Sequence, residues 1–87
     1  MNRLDLEREL LDWCNRRFSP PEPILMDSDL LDSGLLDSLG VMDLLAMIEK
    51  RYAVVIENAA VSPRNFRTVA AMAALCAQRM AARQDGV

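Results

Sequence analysis

Apolar side chains recur at steps of three and four through three separate stretches of this 87-residue chain, and nowhere do two stretches alternate as paired strands would. Over residues 3–18, Leu4, Leu11, Cys14 and Phe18 form one stripe with Leu10 beside it. Asp5, Arg8, Glu9, Asp12 and Arg16 fall mostly on other faces, the pattern of an amphipathic helix. Ser19-Pro20-Pro21-Glu22-Pro23 ends it, because proline lacks a backbone donor and disfavours a helical residue before it. Over 38–52 a second stripe comprises Val41, Leu44, Leu45, Ile48 and Tyr52, flanked by a less buried set of Leu39, Met42 and Ala46. Thr68 is placed to cap a third helix over 69–83, with Val69, Met72, Ala73, Cys76 and Met80 on one face. Ser62-Pro63 suggests a short helical turn at 63–66. The tail from Gln84 is expected to fray.

Ala53-Val54-Val55-Ile56-Glu57 has a β-like composition but no partner strand, so it reads as a buried extended link. The expected architecture is all-α. Three longer helices and one short one form a four-helix bundle within a single domain, 1–87, with a long ordered loop between the first two helices. That loop, 19–37, is long for so small a domain. Its Ile24, Leu25, Leu30, Leu31, Leu35 and Leu36 are expected to pack it against the core.

Charge narrows the partners. Ten basic and thirteen acidic residues leave a net charge of −3. The excess of acid lies in the front half, which argues against a nucleic-acid partner. Arg64, Arg67, Arg79 and Arg83 near the end read as a solvated helix face. No apolar run approaches the ~20 residues of a membrane span, and the start lacks the apolar stretch of a signal peptide, so a cytoplasmic protein is expected. The chain has two cysteines, Cys14 and Cys76, and no histidine, which leaves zinc sites and Cys-His nucleophiles poorly supported. Both cysteines sit among apolar neighbours and read as buried thiols. Asp27, Asp29 and Asp32 depart from a calcium-loop pattern, since Leu31 takes a ligand position and Asp32 the glycine position. No metal is expected.

Within ten residues the chain nearly repeats itself: Leu30-Leu31-Asp32-Ser33-Gly34, then Leu35-Leu36-Asp37-Ser38-Leu39. Gly34 makes the first copy a turn. The second copy runs into the helix over 38–52, where Asp37 or Ser38 can cap its start. Ser38 is therefore either a simple cap or an exposed hydroxyl at a helix N-terminus, a position that accommodates a phosphodiester. A catalytic nucleophile would need a base within reach, and neither a histidine nor a G-x-S-x-G elbow is present.

Asp37-Ser38-Leu39, between a leucine-bearing loop and an amphipathic helix, resembles the phosphopantetheine attachment motif of acyl and peptidyl carrier proteins. The likeness runs from about Leu30 to Met80 and takes in Glu49-Lys50-Arg51-Tyr52, Val54-Val55-Ile56 and Thr68-Val69. It implies a carrier rather than an enzyme. A phosphopantetheinyl transferase would use coenzyme A and magnesium to attach 4′-phosphopantetheine to Ser38, and the arm's thiol would hold acyl or aminoacyl cargo as a thioester. By the same resemblance, Asp37 aids transferase recognition, and Leu39, Met42, Asp43, Ala46 and Glu49 face partners. Those partners would be an adenylating loading enzyme and downstream transferase, condensing or tailoring enzymes, met by a monomer.

Lys50 and Arg51 balance the acidic residues of that helix, and Gly40 stands where a polar residue is usual. With the 61–69 segment, these features favour a discrete carrier of specialised metabolism, of the polyketide or nonribosomal peptide kind, over a fatty-acid carrier. The competing expectation is an unmodified helical adaptor that binds through Leu39 and Met42.

Overall fold

A computed structural model describes residues 1–85, and its regular structure is helical, with no strand among the described residues. Helix α1 spans Arg3–Phe18, α2 Ser38–Tyr52, α3 Pro63–Phe66 and α4 Val69–Asp85. A single 3-10 turn at Asn58–Ala60, which the sequence reading does not anticipate, precedes α3. No helix of the described residues is long and apolar enough to cross a membrane. Helix α4 continues to Asp85, past the expected end at 83, and Gly86 and Val87 of the tail expected to fray lie outside the described residues.

Each helix start has a side-chain acceptor that replaces a missing intrahelical one. Asn2 Oδ1 accepts from the Asp5 N–H at 2.8 Å, Asp37 Oδ1 from Gly40 at 2.8 Å, Ser62 Oγ from Asn65 at 3.4 Å and Thr68 Oγ1 from Ala71 at 3.1 Å. Helices α1 and α2 both end on a left-handed residue, Ser19 (φ 42°) and Ala53 (φ 55°), whose N–H returns to the carbonyl four residues back.

The buried faces correct the expected stripes. In α1 the core side chains are Leu6, Leu10 and Cys14, whereas Leu4 is 61% exposed and Leu11 and Phe18 are half-buried. Both sets obey a helical period, and packing against α4 selects the one that runs i, i+4, i+8. In α2 the core residues are Gly40, Leu44, Ile48 and Tyr52, with Val41 and Leu45 at the margin. In α4, Val69, Met72, Ala73 and Cys76 are buried as the periodicity predicts, Leu75 joins them, and Met80 is partly covered. The link after α2 buries Val54 but leaves Val55 70% exposed.

The 19–37 loop is held by backbone bonds as well as by leucines. The Asn15 side chain pairs with both backbone groups of Ile24, accepting from its N–H at 2.7 Å and donating to its carbonyl at 3.2 Å. Further along, Leu30 N–H donates to the Arg67 carbonyl at 2.8 Å and Ala70 N–H to the Met26 carbonyl at 3.0 Å, which ties the loop to the α3–α4 junction. Ile24, Leu30 and Leu36 are buried beneath it. Leu25, expected among the anchors, is 61% exposed.

Candidate functional site

The loop delivers the chain to α2 through Leu36, which is buried and whose N–H donates to the Leu30 carbonyl at 3.0 Å. Asp37 follows in extended conformation (φ −115°, ψ −173°) and caps the helix. That decides between the two possible caps. With Asp37 in that role, Ser38 becomes the first helical residue, exposed, and its hydroxyl has no hydrogen-bond partner among the described residues.

The first helical N–H groups, those of Ser38 and Leu39, have no intrahelical acceptor by their position. An anion attached at Ser38 Oγ would meet these donors and the positive end of the helix dipole. The residues present therefore fit a phosphodiester on Ser38: the hydroxyl is accessible, unpartnered among the described residues, and flanked by donors.

Leu39 and Met42 are 69% and 67% exposed, and Ala46 is exposed on the same side, so the three form an apolar strip running up α2 from Ser38. Glu49 extends the strip, exposed and without an ion pair among the described residues. Asp43 is exposed as well, and it is ion-paired. Its Oδ2 accepts from Arg17 Nη2 at 2.6 Å and Nε at 2.9 Å, so much of its charge is matched within the chain. Nor does Arg51 balance Asp43 or Glu49. It reaches across to Glu9 of α1 with two bonds of 3.1 Å, joined there by the Tyr52 hydroxyl at 2.9 Å. These two donors, Arg51 first, hold the Glu9 carboxyl below its usual range.

The first Asp-Ser copy has other work. Ser33 Oγ accepts weakly from the Leu35 N–H at 3.5 Å within a turn, closed by Gly34 at φ +77°, where glycine avoids a Cβ clash. Asp32 meets Arg67 at 3.4 Å. Asp29 accepts from the backbone of Asp32 and Leu31, at 2.8 and 3.1 Å, and from Arg67 at 2.8 Å. The Asp32 N–H first, then Arg67, lowers its pKa. These aspartates staple a loop, and no group of metal-ligating side chains occurs among the described residues.

Of the C-terminal arginines expected on a solvated face, Arg67 and Arg79 are ion-paired instead, Arg79 with Glu57 at 2.7 Å. The side chain of Arg83 lies outside the described residues. Burial raises the thiol pKa of Cys14 to about 12 and of Cys76 to about 11, so both are inert core groups.

The sequence reading missed the support beneath the site. Phe18, Arg17 and Gly40 pack the end of α1 against the start of α2. A glycine on the inward side of a helix was the available signal.

Three comparisons bear on this geometry. A family model described as "Phosphopantetheine attachment site" matches residues 6–76. The D-alanyl carrier proteins of Streptococcus sanguinis (strain SK36) and Streptococcus thermophilus (strain ATCC BAA-491 / LMD-9) are each 31% identical to the chain over 51 residues. That stretch covers 59% of this chain and 65% of each relative, so the chain spans under two thirds of the length of the relatives it matches. Among solved structures, a chain from one described as "Crystal structure of FAD-dependent dehydrogenase" superposes with a TM-score of 0.72 at 33% identity, covering 77% of this chain and 97% of that one.

Proposed function

This chain belongs to the phosphopantetheine attachment-site family, and from that membership we propose that Ser38 bears the arm and that the protein presents thioester cargo to a series of enzymes. The carrier role and the covalent 4′-phosphopantetheine follow from the family. The assignment to Ser38 rests on one observation. Asp37 takes the helix cap and leaves an exposed hydroxyl with no partner among the described residues at the first position of α2.

In the transfer, Ser38 Oγ loses its proton and bonds to the phosphorus that carries the pantetheine of coenzyme A. The pyrophosphate link breaks and adenosine 3′,5′-bisphosphate leaves. When bound, the arm supplies a terminal thiol whose thioester lacks amide resonance and so keeps a carboxylic acid activated. The chain's own residues orient this chemistry. Asp37 fixes the start of α2, the N–H groups of Ser38 and Leu39 would be available to the phosphodiester, and Leu39, Met42 and Ala46 offer apolar contact to partners. Glu49 adds a charge that steers encounter more than it adds affinity. Asp43, matched by Arg17, contributes less.

A carrier of this kind acts through others: a phosphopantetheinyl transferase, an adenylating enzyme that loads the cargo, and enzymes that transform or remove it. The D-alanyl cargo named for the streptococcal relatives favours an aminoacyl over a fatty-acyl cargo here. Likeness to a chain from an FAD-dependent dehydrogenase structure favours a flavin-dependent oxidation among the later steps. A dedicated biosynthetic pathway in the cytoplasm, served by residues 1–87 as one monomeric domain without catalysis of its own, is consistent with both.

Incubation with coenzyme A, magnesium and a broad-range transferase, followed by intact-mass measurement, tests the assignment. One phosphopantetheine should be added to the wild type and to Ser33→Ala, and none to Ser38→Ala. An unchanged wild-type mass would leave the unmodified adaptor as the function. Addition that survives Ser38→Ala would place the arm elsewhere.

A further inference from the structure

Gly40 is buried although Asp37, Ser38 and Leu39 beside it are all exposed. Glycine is the poorest helix former after proline, so its presence in the first turn of α2 calls for a physical cause. The end of α1 supplies one. A Cβ at Gly40 would lie 2.8 Å from Phe18 Cε1, 3.2 Å from Phe18 Cζ and 3.2 Å from Leu36 Cδ1. The first of these distances is closer than carbon atoms approach without displacement.

The phenyl ring is half-buried and has a neighbour on two sides. Trp13 meets it edge-on, at 6.0 Å between centroids and 87° between planes, and the Arg17 guanidinium stands 5.5 Å over its centre. Arg17 is in turn fastened to Asp43, one turn beyond Gly40. The last turn of α1 thus grips the first two turns of α2 at two points, one steric and one ionic. Ser38 is carried on the gripped turn.

Resting on the assignment of the arm to Ser38, we infer that Phe18 and Gly40 are positioning residues for the transfer reaction. The ring seated on the bare Cα of Gly40 sets how closely α2 begins to α1, and that spacing sets where the Ser38 hydroxyl is presented to the transferase. Neither residue touches the reacting atoms. A Cβ at position 40 pushes the turn off the ring and shifts the nucleophile, whereas the apolar strip that the partner grips, Leu39, Met42 and Ala46, stays exposed.

The test measures kcat and KM for phosphopantetheine transfer to the wild type, Gly40→Ala and the Gly40→Ala/Phe18→Leu double variant. Each is also followed through thermal unfolding and the emission of Trp13, the only tryptophan in the chain. Gly40→Ala should lower kcat about tenfold, the scale of a sub-ångström misplacement of a reacting group, with a smaller change in KM because Asp37 and Leu39 share the displaced turn. Phe18→Leu in that background clears the ring and should return kcat towards the wild-type value.

Transfer to Gly40→Ala at the wild-type rate would overturn the inference, as would a folded double variant as slow as the single one. If Gly40→Ala does not fold, the double variant decides. Recovery of both fold and transfer supports the steric seat, and failure to recover refutes it. A wild type that is not modified, or Ser38→Ala that still is, refutes the attachment assignment and this inference with it.

Discussion

At Asp37 one carboxylate oxygen accepts from the Gly40 N–H while the side chain remains exposed beside Ser38, so a single residue both starts the helix and displays a charge. Two substitutions separate these roles. Asparagine caps as well as aspartate, whereas alanine does not, at a cost of ~1 kcal/mol. Asp37→Ala should therefore lower stability by about that amount in chemical denaturation, and Asp37→Asn should hold it. Both should slow phosphopantetheine transfer, because the charge is absent from each. Wild-type transfer rates for Asp37→Asn would reduce the residue to a cap. The sequence placed a cap at 37 or 38 and could not choose, because both side chains carry suitable oxygens. The extended backbone at Asp37 makes the choice, and with it frees Ser38.

Helix α2 carries an exposed apolar face, proposed above for partners, and a core face, and its rotation decides which residues lie on each. Leu44 and Ile48 are 0% and 1% exposed, while Leu45 sits at the margin. Leu44→Ala or Ile48→Ala should cost ~2–5 kcal/mol through lost burial and a residual cavity. Leu45→Ala should cost clearly less, by the same urea midpoints. An equal loss at 45 and 44 would mean that the inward face has been misplaced. Periodicity fixed the existence of this helix but left its rotation uncertain by one residue, because leucines at 44 and 45 satisfy an apolar stripe equally. In α1 the sequence reading put Leu4 and Leu11 on the inward stripe and left Leu6 out of it, whereas packing turns Leu6 and Leu10 inward. The 3-10 turn at Asn58–Ala60 left no signal at all, being three residues without a period.

Across the whole molecule, carboxylates and arginines join segments distant in sequence. Glu9 meets Arg51 between α1 and α2, Asp29 meets Arg67 between the long loop and the α3–α4 junction, and Glu57 meets Arg79 between the link and α4. In all three the carboxyl pKa is lowered: by Arg51 and Tyr52 at Glu9, by the Asp32 N–H and Arg67 at Asp29, and by Arg79 at Glu57. A group whose folded pKa is depressed adds stability above its unfolded value and loses it as pH falls through the folded one. The ordinary values are 4.5 for glutamate and 3.8 for aspartate. Urea midpoints should thus stay nearly level between about pH 7 and pH 5 and decline as pH falls through and below 4.5. These pairs are solvent-exposed and screened, so the decline should be gentle and weaken in salt. A midpoint still constant at about pH 3 would show that they contribute nothing.

The sequence by itself determined the all-helical class, the division of the chain by its prolines, and the Asp-Ser-Leu that marks a carrier. The first two depend on short-range physics, a period of 3.6 and a missing donor; the third is a resemblance carried by three neighbouring residues in their setting. Only the tertiary structure decided which leucines face inward, which acids are matched by arginines 22 to 42 residues away, and what lies beneath Gly40. Those outcomes depend on how helices rotate and approach one another, which no local pattern encodes. Ser38 belongs to both accounts. The motif singled it out, and the packed junction of α1 with α2 leaves its hydroxyl exposed and without a partner among the described residues.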